Sequence, residues 1–344
     1  MQSLTQPSTH IISTGSAVPD HHIDNYQLKA IIDTSNNWIS TRTGISKRHV
    51  ISSEESVIHL AANASEQAIQ NSMIDRHSID LILLATSTPN DLFGSASQLQ
   101  ALVKAKRAAA FDITAACSGF VIGLAIADQF IRSGTYNTVL VVGADVLSQW
   151  VDWSDRTTCI LFGDGAGAAV VQSSTRNKQS GILGFELNTR GLECNQLSIK
   201  YIPNENYPLG NSRHFNKMGD RNGHYTTLQM NGREVYKFAV SEVPQSILRC
   251  LSKASISPKH IDWLILHQAN QRILEAVASK LEISYEKVIS NIKFYGNTSA
   301  ASIPIALNEA FANGYICNGD IIVIAGFGAG LTWGSMVIRW DILC

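Results

Sequence analysis

The strongest constraint on this chain is a pattern that occurs twice. The segment SIDLILLAT (78–86) reads against HIDWLILHQ (260–268), with Ile79 opposite Ile261 and Asp80 opposite Asp262, an offset of 182 residues. The same offset sets the apolar run 139–142 on 321–324, the helical stretch 54–74 on 236–256, and the stretch after Cys117 on 302–314. Identities are few, but one shift matching several apolar runs in order, over about ninety residues, marks a duplicated unit. Each half reads helix, buried strand, helix, buried strand. Runs such as LILLA, VLVVG and IIVIA suit strands covered on both faces. At 344 residues the chain holds two such units, divided here as 1–178 and 179–344. The expected fold class is α/β, with two similar halves packed in layers around a shared cleft and strand-end residues facing it.

Composition narrows the function classes. A net charge of −1 gives no global attraction to nucleic acid or anionic membrane. No apolar run reaches the roughly 18 residues of a membrane helix. The first basic residue is Lys29, so no secretory or transit peptide is visible. Six cysteines (117, 159, 194, 250, 317 and 344) form no CxxC and read as reduced thiols. His21–His22 lacks a third ligand, so no metal site is expected. GDGAGA (163–168) departs from GxGxxG and runs into a strand-like AAVV, which argues against a dinucleotide loop. The stretch 191–228, rich in Asn, Gly, His and Tyr, has no counterpart in the repeat. It is a loop or flap over the cleft, or a solvated insertion.

Cys117 lies in FDITAACSGFVIGLAIADQFIRSG, where a strand-like run breaks at small residues and an amphipathic helix begins. A sulfur there sits near free backbone N–H groups, and the helix dipole should lower its pKa and favour the thiolate. The competing reading is an inert buried cysteine. His267 ends the strand matching 81–85, and Asn297 precedes the helix matching the one after Cys117, so the repeat places all three where they can meet. Singly, a histidine ending a strand such as His267 is more often structural than catalytic, and Asn297 reads as an N-cap or turn residue.

Four motifs, AACSGF, LHQANQRI, YGNTSAAS and GFGAGLTWG, occur in the order and spacing of the thiolase-like condensing enzymes. With DTSNNWISTRTGI and DRTTCILFGDGAGAAVV, the chain resembles the beta-ketoacyl-acyl carrier protein synthase III family nearly end to end, in wording closest to cyanobacterial and plastid members. The resemblance implies a thiolase-like five-layer α-β-α-β-α architecture. It implies a Cys117–His267–Asn297 centre: the cysteine is acylated by an acyl-CoA, usually acetyl-CoA. Malonyl on acyl carrier protein then loses CO2, and its carbanion attacks the acyl thioester. His267 and Asn297 would hydrogen-bond the enolate oxygen, and the Cys117 and Ala329 amides would form a second oxyanion hole. Elongating relatives carry a second histidine where this chain has Asn297, which favours the initiating type. Ser118 and Tyr295 depart from the family's commonest alanine and histidine.

The resemblance further implies coenzyme A contacts at Thr34, Trp38, Arg42, Arg156, Gly232 and Asn270; an indole face and guanidinium planes suit an adenine and its phosphates. It implies carrier-protein contacts at Lys237, Gln268, Ala269, Asn270, Gln271 and Arg272, with Arg233 adding charge, because acyl carrier protein is acidic. Phe93 would enter the partner's acyl pocket in a homodimer and limit starter length. No cofactor is implied, acyl-CoA being a substrate, and the place of action would be bacterial cytoplasm or plastid stroma. Two other readings stay open: a secondary-metabolic or type III polyketide-like condensing enzyme, and a non-condensing acyl-CoA binder or hydrolase. The lack of an Asp or Glu behind His267 fits condensation better than a hydrolytic triad.

Overall fold

Asp80 and Asp262, the polar pair inside the duplicated motif, do the same job in both halves. Each carboxylate accepts a backbone N–H from the start of the neighbouring strand, Thr138 at 3.0 Å and Ile321 at 2.8 Å. The structure, a computed structural model, describes residues 7–175, 179–203 and 223–342. Its first large sheet comprises β1 (Ser8–Ala17), β2 (Leu81–Ala85), β3 (Ala109–Ile113), β4 (Thr138–Val146) and β5 (Asp164–Ser174), in the order β1-β5-β4-β2-β3. The second comprises β6 (Gly181–Thr189), β7 (Trp263–Leu266), β8 (Ile321–Gly328) and β9 (Thr332–Arg339), in the order β7-β8-β9-β6. These orders are equivalent, and a bridge from Leu264 to Val288 marks the place of β3 in the second half.

The offset is not constant. Leu81 pairs with Val139, whereas Trp263 pairs with Ile322 rather than Ile321. The run 139–142 therefore corresponds to 322–325, one residue beyond the sequence reading. The second half holds one extra residue between its first parallel strand and its middle helix. Strand side chains alternate faces, so register rather than raw sequence offset decides which apolar residues point inward.

The helices that matter to the site are α1 (Asn36–Thr43), α2 (Val57–Ser72), α3 (Gly119–Arg132), α4 (Gly232–Lys253), α5 (Gln271–Lys280) and α6 (Ser302–Ala312). In α3, GFVIGLAIADQFIR is apolar nearly all round, the pattern of a helix covered on every side. It lies with α6 between the two sheets. The stripe Val57, Leu60, Ala61, Ala64, Ala68 of α2 covers the outer face of the first sheet, and α4 and α5 cover that of the second. The layers are α-β-α-β-α, as the resemblance implied. Leu83 and Val141 of the first sheet, Phe120 of α3, Leu307 of α6, and Ile324 and Met336 of the second sheet share one core. Packing is close enough that a methyl group at Gly143 on β4 would stand 2.2 Å from the Ala300 carbonyl oxygen.

Of the insertion 191–228, the ends are ordered. Leu197–Ser198 pairs with Gln229–Met230, and Tyr201–Ile202 with His224–Tyr225. Its centre, 204–222, lies outside the described residues, as do 176–178, where the two halves were divided, and Cys344.

Candidate active site

Both halves pass from sheet to middle helix through a residue in the left-handed region, Ala116 (φ 47°) and Ser299 (φ 50°). That conformation costs an L-residue roughly 1–2 kcal/mol. Cys117 sits in the short turn Ala116–Ser118 that opens into α3, and is 5% exposed. The end of β8 runs against it because glycines leave room. A methyl group at Gly328 would stand 2.8 Å from the Cys117 nitrogen, and one at Gly326 2.9 Å from the Ser118 Cα. The GFGAG segment thus carries the Gly328–Ala329 peptide past Cys117.

His267 follows β7 and is 1% exposed. Its Nδ1 lies 2.7 Å from the Ser302 Oγ, which also accepts the Gln268 N–H at 3.3 Å. Nδ1 is the partner of Ser302 able to accept its hydroxyl proton, so we assign the proton of the neutral imidazole to Nε2. The Phe327 ring meets the imidazole edge-on at 5.1 Å. Asn297 Oδ1 accepts the Ser299 N–H at 2.9 Å, which leaves its Nδ2 group as the free end. Its backbone is fixed from both sides, donating to Leu161 O at 2.8 Å and accepting from Gly163 N at 3.0 Å.

Electrostatics differ from the sequence expectation at Cys117. Burial pushes the thiol up to about 12, Ser299 pulls against this, and the nearby Asp145 charge adds to it. The helix start was expected to lower this pKa, but a dry site without an adjacent cation penalises a thiolate more than the dipole favours it. Burial alone pushes His267 down to about 3. The resting pair is therefore a neutral thiol and a neutral imidazole.

Cys117, His267 and Asn297 line one cavity of about 690 Å³. Trp38, Arg42, Arg156, Gly232, Arg233, Lys237, Ala269, Asn270 and Arg272 line it too, and the charged members of this group are exposed, so they form its mouth. Ser35 caps α1 by accepting the Trp38 N–H at 3.1 Å, and two guanidiniums lie over the indole, Arg42 at 4.8 Å and Arg156 at 5.4 Å from its centre. Asn270 ties the mouth together: its Oδ1 accepts the Arg272 N–H, and its Nδ2 donates to Arg42 O.

Other expected residues stand elsewhere. Gln268 is 1% exposed and spends its side chain on Leu266 O, Ile289 O and the Asn291 N–H, so it cannot touch a carrier protein. Gln271 hydrogen-bonds Glu275 and Tyr285 beneath Gly44, off the cavity wall. Thr34 is also off that wall, with its hydroxyl buried. Phe93 is 99% exposed beside Leu92 and is not among the residues lining its own chain's cavity.

Profiles described as 3-oxoacyl-[acyl-carrier-protein (ACP)] synthase III match residues 111–191 and, for its C-terminal part, 251–340. The chain is 54% identical to beta-ketoacyl-[acyl-carrier-protein] synthase III of the red alga Porphyra purpurea, across 96% of this chain and 99% of that one. It belongs to the synthase III family. The synthase III of Microcystis aeruginosa is also 54% identical, over 96% of this chain and 97% of its own. The solved synthase III of Aquifex aeolicus is 43% identical, with a TM-score of 0.86, covering 96% of this chain and 100% of that one. Red algal and cyanobacterial relatives agree with the wording of the motifs.

Sequence reasoning missed Ser299, Ser302, Asp145 and Phe327, all packed within this synthase III site. For Ser299 a signal existed. It lies within the YGNTSAAS motif two residues after Asn297, it is the counterpart of Ala116 in the other half, and its Oγ lies 3.3 Å from the sulfur.

Proposed function

We propose that the chain is the initiating condensing enzyme of type II fatty acid synthesis. The observation that carries this reading is one cavity holding a buried cysteine and two neutral donors, the Nε2–H of His267 and the Nδ2 of Asn297, each oriented by a partner on its other end. Such donors suit an oxygen that turns anionic during the reaction. In the first half-reaction Cys117 attacks a short acyl-CoA, the tetrahedral oxyanion rests against the Cys117 and Ala329 amides, and CoA leaves as a thiolate that takes a proton. In the second, malonyl on acyl carrier protein loses CO2. His267 and Asn297 hold the resulting enolate oxygen, the carbanion attacks the acyl thioester, and Cys117 is expelled. The product is 3-oxoacyl carrier protein.

The mouth supports both partners. Trp38 with Arg42 and Arg156 suits an adenine with its phosphates, and Arg233, Lys237 and Arg272 suit an acidic carrier. The protruding Leu92–Phe93 tip and the edge strand β3 suit a homodimer in which Phe93 closes the partner's acyl pocket. We place the enzyme in the cytoplasm or plastid stroma; no helix among the described residues is long and apolar enough to cross a membrane. The serine behind His267, in place of a carboxylate, argues against hydrolysis.

Separating the half-reactions tests this. His267→Ala and Asn297→Ala should still take an acetyl group on Cys117 but lose CO2 release from malonyl carrier protein by 100-fold or more, the order expected for an oxyanion donor at about 10²–10³. Retained CO2 release in both variants would sink the assignment.

A further inference from the structure

A four-residue helical turn, Ile292–Tyr295, leads into Asn297, and a turn that short does not hold its own shape. It is held at both ends by one side chain. Glu309 reaches it from α6, half-buried. Its Oε2 accepts from the Asn291 Nδ2 group at 2.7 Å, just before the turn, and its Oε1 accepts the hydroxyl of Tyr295, which ends the turn. Glu309 has no ion pair among the described residues. Burial and the Glu309 carboxylate push the Tyr295 phenol up, which keeps it the donor. Its ring rests on that of His49, with centroids 5.5 Å apart. Toward His267, the Asn291 N–H donates to Gln268 Oε1 at 3.2 Å, and the Gln268 N–H donates to Ser302 Oγ, which also holds the imidazole. Toward Asn297 only Gly296 intervenes, at φ 66°, where a methyl group would stand 2.6 Å from Leu161 O. Glycine fits that space but supplies no stiffness of its own, so the anchor before it matters.

We propose that Glu309 is a positioning residue for decarboxylation: it clamps the turn 291–295 and so fixes the Asn297 Nδ2 group against the His267 Nε2–H. This rests on the condensing reading above. Ser302 and Glu309 stand about two helical turns apart, on one face of α6. The first orients His267 and the second the approach to Asn297, so one helix sets the spacing of both donors. Two donors aimed at one oxygen gain from such support, because misplacing a group by about 1 Å costs a reaction about 10²-fold. Acylation does not depend on this spacing, since its oxyanion meets the Cys117 and Ala329 amides. The clamp also gives a task to Gln268 and Tyr295, neither of which lines the cavity.

The test uses Tyr295→Phe and Glu309→Ala in the full chain, each checked for folding by a thermal melt. Tyr295→Phe keeps the ring on His49 and removes one bond of the clamp; Glu309→Ala removes both. CO2 release from saturating malonyl carrier protein should slow about threefold in the first and about tenfold or more in the second, within the ~10²-fold that misplacement can cost, with KM unchanged. Single-turnover acetylation of Cys117 by acetyl-CoA, read by intact mass, should keep the wild-type rate in both. In an Asn297→Ala background, Glu309→Ala should slow CO2 release no further, because the donor it positions is gone. Glu309→Gln, which keeps an oxygen for Asn291, should recover part of the rate. Unchanged CO2 release, equal loss of both half-reactions, or the full loss repeated in the Asn297→Ala background would overturn the clamp and leave the condensing assignment standing. Should Glu309→Ala not fold, Tyr295→Phe decides on the same readings. A wild-type chain that takes up no short acyl group and releases no CO2 would overturn both.

Discussion

A histidine enclosed by Phe327 and the middle layer cannot gain a proton without placing a charge in a dry site. The folded pKa of His267 near 3 lies below the unfolded value of about 6.5. The sign follows: above pH 6.5 both states are neutral and the group's contribution is fully present. As pH falls from 6.5 toward 3, the unfolded chain binds a proton that the folded chain refuses, and stability drops by about 1.4 kcal/mol per pH unit. His267→Gln removes this term. From about pH 7 to about pH 5 the wild type should lose about 2 kcal/mol more unfolding free energy than His267→Gln, read from urea midpoints. Equal losses would show that the imidazole is not held neutral. At this scale the sequence was informative where residue type is distinctive: Cys117, His267 and Asn297 each stand out at a strand or helix boundary. Ser299, Ser302 and Asp145 do not, because a serine near a helix start and an aspartate ending a strand are ordinary. Only the packing of the two halves sets them against sulfur and imidazole.

Between elements, glycines decide how near the two middle-layer turns come to the sheets. Gly143→Ala would drive its methyl into the Ala300 carbonyl at 2.2 Å, whereas Gly191 has nothing within 4 Å of such a methyl and no positive φ. Gly143→Ala should therefore destabilise the fold by about 1–3 kcal/mol through overpacking, while Gly191→Ala stays within about 0.5 kcal/mol. Thermal unfolding of both variants measures this, and matching midpoints would contradict the close approach of sheet and turn. The strands were legible because apolar runs such as LILLA and IIVIA leave little alternative. The one-residue drift in the repeat was not, since apolar runs match nearly as well at 182 as at 183. What settles it is hydrogen-bond register, Trp263 against Ile322.

Over the whole molecule, a net charge near zero conceals a basic mouth. Arg42, Arg156, Arg233, Lys237 and Arg272 converge there from four separate stretches of chain, with Glu234 beside Lys237 and Asp33 near Arg156 as local counter-charges. Summed charge could not reveal this. The motif resemblance did, although it also brought in Gln268, whose place in the core depends on contacts with Ile289 and Asn291 that no local pattern encodes. The mouth, the cavity and the three residues at its floor form one path from solvent to sulfur. The most direct measurement is intact mass of the full chain after acetyl-CoA, followed by a chase with malonyl carrier protein. The account predicts one acetyl group on Cys117, absent in Cys117→Ala, that disappears on the chase as acetoacetyl carrier protein forms. An acetyl group that never forms on Cys117, or one lost only to water during the chase, would contradict it.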